Sequence, residues 1–152
     1  MKVIGKHLTI DMYGCNFDNL NNIEFIKSSM FTAIQEANMT LLDFTSYKFE
    51  PQNLTILALL AEGHMSIHTY SALGYAAVDI FICGDLSRAD KAAAALRRSI
   101  KPEKTKTTNI KRGDFGSESD MKPKVKISIT PLRRVRDTGA KMLHFLKRSK
   151  SK

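Results

Sequence analysis

The chain begins with an alternation of apolar and polar residues that is typical of a β-strand. Within residues 2–13 the apolar side chains recur at every second position, as in Leu8, Ile10 and Met12. From residue 22 onward they recur every three or four positions, which is the period of a helix with one buried face. The pattern therefore predicts a strand over residues 2–13 and an amphipathic helix near residues 22–37.

Later apolar runs predict the remaining elements of one domain. Strands are predicted over residues 39–49, 53–62, 75–83 and 105–112, and a second helix over residues 85–100. The order β-α-β-β-β-α-β indicates an α+β fold: a two-layer α/β sandwich with helices on one face of a largely antiparallel sheet. Because no helix remains to cover the second face of this sheet, we expect the protein to be a homodimer.

Residues 61–70, AEGHMSIHTY, form a polar segment between two of the apolar runs. Glu62, His64, Ser66 and His68 all lie within it. Titratable groups held between rigid strands are where a functional site is expected. The two histidines alone do not supply the ligands that a metal needs, so we predict no metal site.

Basic charge is concentrated near the C-terminus. Residues 1–100 carry 8 Lys and Arg against 10 Asp and Glu, whereas residues 101–152 carry 16 against 5. We therefore divide the chain into a domain at residues 1–113 and a basic C-terminal extension at residues 114–152, which we expect to be partly disordered or weakly helical. Such an extension attracts nucleic acid or an acidic partner through salt-sensitive contacts.

The cysteine content and the hydropathy of the chain indicate its compartment. Cys15 and Cys83 are too few for a disulfide framework, and each is by itself more typical of a small buried residue than of a reactive thiol. The sequence has neither a run of 18 apolar residues nor the apolar core of a signal peptide. We therefore expect a cytoplasmic protein without a membrane span.

Several short motifs are specific in their order and spacing, although none of them is specific alone. They are His7, Tyr13-Gly14-Cys15, Lys48-Phe49, Pro51-Gln52, Ala61-Glu62, His64, Ser66-Ile67-His68-Thr69, Gly74-Tyr75-Ala76-Ala77-Val78-Asp79 and Cys83-Gly84-Asp85. From about residue 5 to residue 113 the chain thus resembles the small bacterial and archaeal S-adenosylmethionine decarboxylases, which are pyruvoyl enzymes of spermidine and other polyamine biosynthesis. The resemblance does not extend into residues 114–152.

The resemblance implies a self-cleaving proenzyme. In the family a serine hydroxyl attacks the carbonyl of the residue that matches Glu62, and this serine becomes a pyruvoyl group that binds the substrate amine as a Schiff base. The position of His68 supplies an acid or base for cleavage, that of Thr55 is a supporting serine, and that of Cys83 is the proposed proton donor in decarboxylation. Phe49 matches an aromatic residue that stacks on adenine, and the sites lie at a dimer interface.

Two positions depart from the family pattern. Gly63 stands in place of the serine, so neither the cleavage nor the pyruvoyl group is available there. Ser66 cannot replace it, because the attacking hydroxyl must belong to the residue directly after the scissile carbonyl. Ala72 stands in place of a glutamate that binds the ribose hydroxyls, and its methyl group cannot accept those hydrogen bonds. Replacing Gly63 with serine is expected to restore slow self-cleavage.

These departures leave three functional hypotheses. The first is a non-catalytic or divergent homologue, without cofactor, that keeps a pocket for S-adenosylmethionine or a related nucleoside and forms a homodimer or a hetero-oligomer with an active decarboxylase. A precursor in which the serine was deliberately replaced by glycine to block cleavage would have the same residue at position 63. The second is a pyruvoyl-independent enzyme that acts on S-adenosylmethionine, such as a lyase that positions the substrate's own carboxylate for attack. The third is a protein that binds nucleic acid or an acidic partner through residues 114–152.

Overall fold

The computed structural model describes residues 4–113 and contains one six-stranded sheet and three helices in that range. The strands are β1 (Gly5–Tyr13), β2 (Leu41–Phe49), β3 (Asn53–Leu60), β4 (Gly63–Tyr70), β5 (Tyr75–Cys83) and β6 (Lys104–Arg112). The helices are α1 (Phe17–Leu20), α2 (Ile23–Glu36) and α3 (Ser87–Ile100), and Ser71–Leu73 form one 3-10 turn. The sheet order is β2-β3-β4-β5-β1-β6, and each pair is antiparallel. The predicted α+β sandwich with an antiparallel sheet is confirmed.

The main difference from the prediction is β4. The segment at residues 61–70 was expected to lie between strands, but residues 63–70 form a central strand that pairs with β3 on one side and β5 on the other. Met65, Ile67 and Thr69 point into the core, and the polar residues between them point to the other face. The sequence contains this alternation, but the many polar residues of the segment make it hard to recognise as a strand. The short helix α1 was not predicted either.

Side-chain hydrogen bonds stabilise the starts of α2 and α3, although the cap residue of α3, Leu86, makes none itself. The Asn22 Oδ1 atom accepts a hydrogen bond of 3.0 Å from the Phe25 amide at the start of α2. Before α3, the Asp85 carboxylate accepts hydrogen bonds from the Ser87 amide at 3.1 Å and from the Ser87 hydroxyl at 2.7 Å. These two bonds lower the pKa of Asp85. Asn22 is thus the helix cap that the sequence predicts, whereas Asp85 stabilises the start of α3 from the position before its cap residue.

One face of the sheet packs against α2 and α3 and forms the core. Its buried side chains alternate along the strands and include Leu8, Ile10, Met12, Leu54, Ile56, Met65, Ile67, Val78, Ile80 and Ile82. The two helices are joined by a hydrogen bond of 2.6 Å between the Ser29 and Ser99 hydroxyls and by an ion pair between Glu36 and Arg98. Burial of this apolar layer fixes which side chains of each strand are left for the opposite face.

The opposite face of the sheet, which we call the open face, consists of the alternate side chains of all six strands. It carries large apolar and aromatic side chains that are 41–64% exposed, namely Tyr13, Tyr47, Phe49, Leu57, Leu59, Tyr70 and Ile110. An apolar surface of this extent is typical of an interface or a ligand site. The candidate site residues are on this face and at its edges.

Strand β6 ends the described part of the chain at the edge of the sheet, where the sequence predicts an edge strand. Its exposed side chains include Lys104, Lys106, Lys111 and Arg112. The prediction for the basic extension at residues 114–152 lies outside the described residues. Within residues 4–113 no helix is long and apolar enough to cross a membrane.

Candidate functional site

The pair formed by Thr55 and His68 lies on the open face. These residues are directly opposite each other on β3 and β4, and their Oγ1 and Nδ1 atoms are 2.9 Å apart, which is a hydrogen-bond distance. Both side chains are half-buried. The neighbour of His68 on the other side is Ala77 of β5. The threonine hydroxyl is therefore placed to orient the imidazole.

A second group of candidate residues meets at the start of β4. The Cys83 amide donates a hydrogen bond of 2.9 Å to the Glu62 carbonyl oxygen. Gly63, directly after that carbonyl, is paired with Ile82 of β5. Glu62, Gly63 and Cys83 are thus brought together, and the carbonyl that the family cleaves is held against β5.

Gly63 has a close backbone neighbour where a side chain would project. Its φ is +156°, and a Cβ atom added to it would lie 2.0 Å from the Phe81 carbonyl oxygen. An L-residue would therefore be strained by its backbone conformation and would collide with backbone atoms that are part of the sheet. A serine at this position carries a steric cost that the sequence does not reveal.

The side chain of Glu62 anchors the turn between β3 and β4. Its carboxylate accepts hydrogen bonds from the Thr40 amide at 3.0 Å and from Arg88 Nη1 at 3.1 Å, and only 17% of the side chain is exposed. Arg88 also donates to the Asn38 carbonyl at 3.0 Å. The resemblance drew attention to the carbonyl of Glu62. In the structure its carboxylate also has a structural role, because it connects the β3–β4 turn to Thr40 and to Arg88 of α3. Sequence reasoning missed Arg88, because a basic residue in the first turn of a helix gives no sign of a distant partner.

The two groups of candidate residues are far apart within one chain. Gly63 and His68 are five positions apart on β4, which corresponds to about 17 Å along an extended strand. Thr55 is opposite His68, and Cys83 lies beside Glu62. The structure therefore does not place the acid–base pair next to the Glu62 carbonyl of the same chain.

A cleft of about 370 Å³ is open at the end of the sheet that carries His68. Its lining residues are Phe49, Asn53, Leu54, Thr55, His68, Thr69 and Tyr70. Phe49 is 51% exposed, and its ring is 4.8 Å from that of Tyr47 in an edge-to-face arrangement. The cleft thus combines an accessible aromatic ring with the Thr55–His68 pair.

Ala72 lies in the exposed 3-10 turn that follows Tyr70. The Ser71 hydroxyl donates a hydrogen bond of 2.7 Å to the Gln52 carbonyl, which ties this turn to the hairpin between β2 and β3. Position 72 is therefore held near the cleft, although Ala72 is not among its lining residues.

Further titratable groups occupy the centre of the open face. His7 Nε2 is 3.2 Å from Asp79 Oδ1, and the Tyr75 hydroxyl donates a hydrogen bond of 2.6 Å to Asp11. This bond, together with burial and the negative charge of Asp11, raises the pKa of Tyr75 to about 12. Asp11 and Asp79 were not singled out as site residues, although their alternation with apolar residues in β1 and β5 indicates this face.

The two cysteines differ in their environment. Cys15 is buried, and burial raises the pKa of its thiol to about 11, as expected for a small core residue. Cys83 is exposed, so the interpretation of this residue as a buried structural cysteine is wrong. Within residues 4–113, no three or more His, Cys, Asp or Glu side chains lie close enough together to hold a metal ion.

Comparison with known proteins identifies the family. A family model described as S-adenosylmethionine decarboxylase matches residues 6–113. The S-adenosylmethionine decarboxylase proenzyme of Prochlorococcus marinus (strain MIT 9313) is 44% identical over 98 residues, which are 64% of this chain and 78% of that protein. The proenzyme of Methanococcus maripaludis (strain S2) is 38% identical over 113 residues, which are 74% of this chain and 93% of that protein.

A solved structure agrees with these sequence matches. The crystal structure of the adenosylmethionine decarboxylase from Aquifex aeolicus superposes with a TM-score of 0.71 at 34% identity, and the match covers 74% of this chain and 93% of that one. The matched region coincides with the six-stranded sheet and its helices. The chain therefore belongs to the S-adenosylmethionine decarboxylase family.

Proposed function

We propose that this chain is a non-catalytic member of the family that keeps the ligand cleft and the acid–base pair but does not cleave itself. The observation that carries the proposal is Gly63. It has no hydroxyl to attack the Glu62 carbonyl, and the Phe81 carbonyl oxygen occupies the direction in which a side chain would project.

The residues at this position do not fit the pyruvoyl group of the family. That group forms from the atoms of a serine residue, and the backbone at Gly63 is closed against β5. No step of a reaction through a pyruvoyl group is therefore assigned to this chain. The candidate residues that do fit their expected roles are Thr55 and His68, whose side chains are hydrogen-bonded to each other.

The biological setting that we propose follows from the family. Its members make decarboxylated S-adenosylmethionine for polyamine biosynthesis, and we propose that this chain acts in that pathway as a binding or regulatory subunit in the cytoplasm. The ligand would be S-adenosylmethionine or a related nucleoside that stacks on Phe49. The exposed thiol of Cys83 is compatible with a reducing compartment.

We also propose a dimer in which two open faces pack against each other. The exposed apolar side chains of this face would then be buried, and a stable interface needs about 800 Å² from each partner. If the strands of the partner run in the opposite direction, His68 of one chain approaches Gly63 of the other, which removes the separation found within one chain. In a mixed dimer with a family member that has the serine, this chain would lend its Thr55–His68 pair to the partner's cleavage site.

We expect the purified protein to remain one uncut polypeptide of 17.1 kDa, because position 63 has no nucleophile. Intact-mass spectrometry and a reaction with a carbonyl-specific hydrazide test this expectation, and the release of CO₂ from carboxyl-labelled S-adenosylmethionine tests catalysis. Two fragments, one of which carries a carbonyl at its N-terminus, would contradict the proposal. So would CO₂ release by the uncut chain.

A comparison of two substitutions of Gly63 distinguishes the effect of the missing hydroxyl on cleavage from the effect of the steric constraint on stability. We expect Gly63→Ala and Gly63→Ser to lower the free energy of unfolding by similar amounts, about 1–3 kcal/mol, because both add a Cβ atom at a strained position. Slow cleavage is expected in the serine variant alone. Urea unfolding and intact mass over several days are the measurements. Complete cleavage of Gly63→Ser during expression, without loss of stability, would show that the serine fits freely.

The dimer is tested by placing a charge on the open face. Leu59→Lys should weaken self-association roughly tenfold or more, because it buries a lysine in an apolar interface. Phe31→Lys on α2 is the matched control, since Phe31 is 43% exposed and Leu59 is 54% exposed. Sedimentation velocity over a concentration series gives the dissociation constants. A wild-type monomer at micromolar concentration, or equal effects of the two variants, would contradict this interface.

A further inference from the structure

We propose that the corner between α3 and β6 binds the phosphate backbone of a double-stranded nucleic acid without reading its bases. This surface, which we call the cationic corner, consists of the α3 side chains that face β6, the helix-facing side chains of β6, and Lys101 after the end of α3. It lies on the helix side of the sheet, so a dimer formed through the open faces leaves it accessible. The inference goes beyond the function proposed above and does not depend on it.

Positive charge in the described part of the chain is concentrated in α3 and β6. Residues 86–113 carry 9 Lys and Arg against 2 Asp and Glu, whereas residues 4–85 carry 3 against 9. This separation produces a positive potential at one edge of the domain, and such a potential attracts a polyanion and raises its association rate. Lysines on an edge strand also hinder its pairing with another sheet, but that role does not require cations on the neighbouring helix.

The helix-facing side of β6 is not covered by a helix, because α3 packs against β1 and β5. Four polar side chains of β6 lie on this side, since they are directly opposite β1 residues that face the helices. They are Thr105, Thr107, Asn109 and Lys111. All of them are exposed except Thr105, which is half-buried. They form the floor of the cationic corner, and α3 forms its wall.

Cations lie along the whole length of this corner. Arg97 Nη2 donates a hydrogen bond of 2.6 Å to the Thr107 hydroxyl, which joins α3 to the middle of β6. Lys101 follows the end of α3, and Lys111 lies near the far end of β6. Residues 105–111 of an extended strand span about 20 Å, which is the length of about six phosphates along one strand of a duplex.

The carboxylates of this region do not neutralise those two lysines. Asp90 of α3 forms an ion pair with Lys6, and the side chain of Glu103 packs beside the end of β1. Among residues 4–113, neither Lys101 nor Lys111 has a carboxylate partner. Their ammonium groups can therefore bind phosphates without breaking an ion pair.

The side chains of the corner match a nucleic-acid backbone better than a protein or a membrane. Lysine, arginine, threonine and asparagine are the residues that contact phosphates in protein–DNA complexes. Neither α3 nor the helix-facing side of β6 exposes a large apolar side chain, which the core of a protein interface or insertion into lipid would use. These two surfaces also have no aromatic residue on which unpaired bases could stack. The ligand is therefore a duplex, bound through its backbone.

The experiment measures binding of a fluorescein-labelled DNA duplex of mixed sequence to the full chain, by anisotropy over a series of salt concentrations. In the double variant Lys101→Gln with Lys111→Gln, we expect the affinity at about 100 mM salt to fall about tenfold or more. The slope of log K against log salt concentration should become shallower by about 1.8, because two phosphate contacts are lost.

The matched control is Lys27→Gln with Lys48→Gln, which removes the same charge from α2 and β2. Residues 114–152 carry 11 Lys and Arg against 4 Asp and Glu and are identical in both double variants, so their contribution cancels. We expect the control to keep the wild-type slope.

Four outcomes would overturn the inference. Equal effects of the two double variants would assign binding to net charge or to residues 114–152. Tenfold tighter binding of a single strand of the same length would contradict a ligand held by its duplex backbone. Binding of phosphatidylserine vesicles but not of the duplex would identify an anionic lipid surface instead. The fourth is absence of duplex binding at about 50 mM salt, where such contacts are strong. None of these results bears on the intact-mass and CO₂ measurements, which test the proposed function separately.

Discussion

The period of two along β4 is the constraint on which the rest of this molecule depends. Met65, Ile67 and Thr69 are buried between the sheet and the helices, and this burial forces His64, Ser66, His68 and Tyr70 onto the open face. A shift of one residue would place the imidazoles in the core at a large cost in desolvation. The apolar half of the strand thus sets the position of every functional side chain on its other half, including the hydrogen bond between Thr55 and His68.

The same strand explains why the two groups of candidate residues are separate. One extended strand cannot bring its first and sixth residues together, so Gly63 and His68 lie at opposite ends of β4. In the dimer that we propose, the two positions would meet across two chains, and the exposed apolar side chains of this face supply a reason for such chains to associate. The two ends of β4 differ in geometry: Thr55 and His68 are hydrogen-bonded to each other, whereas the Phe81 carbonyl oxygen lies where a side chain at position 63 would project.

Glycine at position 63 therefore has two physical consequences. It offers no hydroxyl nucleophile, and it leaves room for the Phe81 carbonyl oxygen where the β4–β5 ladder passes position 63. The carboxylate of the neighbouring Glu62 accepts hydrogen bonds from Arg88 and Thr40, and these bonds also fix the turn between β3 and β4. Retention of the cleft beside His68 and closure of the turn at Gly63 together describe a protein that has kept recognition and lost catalysis, as we propose.

Much of this could be predicted from the sequence by itself. Hydrophobic periodicity determined five of the six strands and both long helices, because each of these elements buries a continuous apolar stripe. The motifs determined the family, and the absence of a hydroxyl at Gly63 follows from the residue type alone. Tertiary structure decided the rest. The strand at β4 depends on pairing with β3 and β5, which the polar side chains of the motif conceal. Other features depend on residues that are remote in sequence, because only packing and strand register bring such residues close or keep them apart. These features are the ion pair of Glu62 with Arg88, the exposure of Cys83, the collision that a side chain at position 63 would meet, and the distance between the two groups of candidate residues.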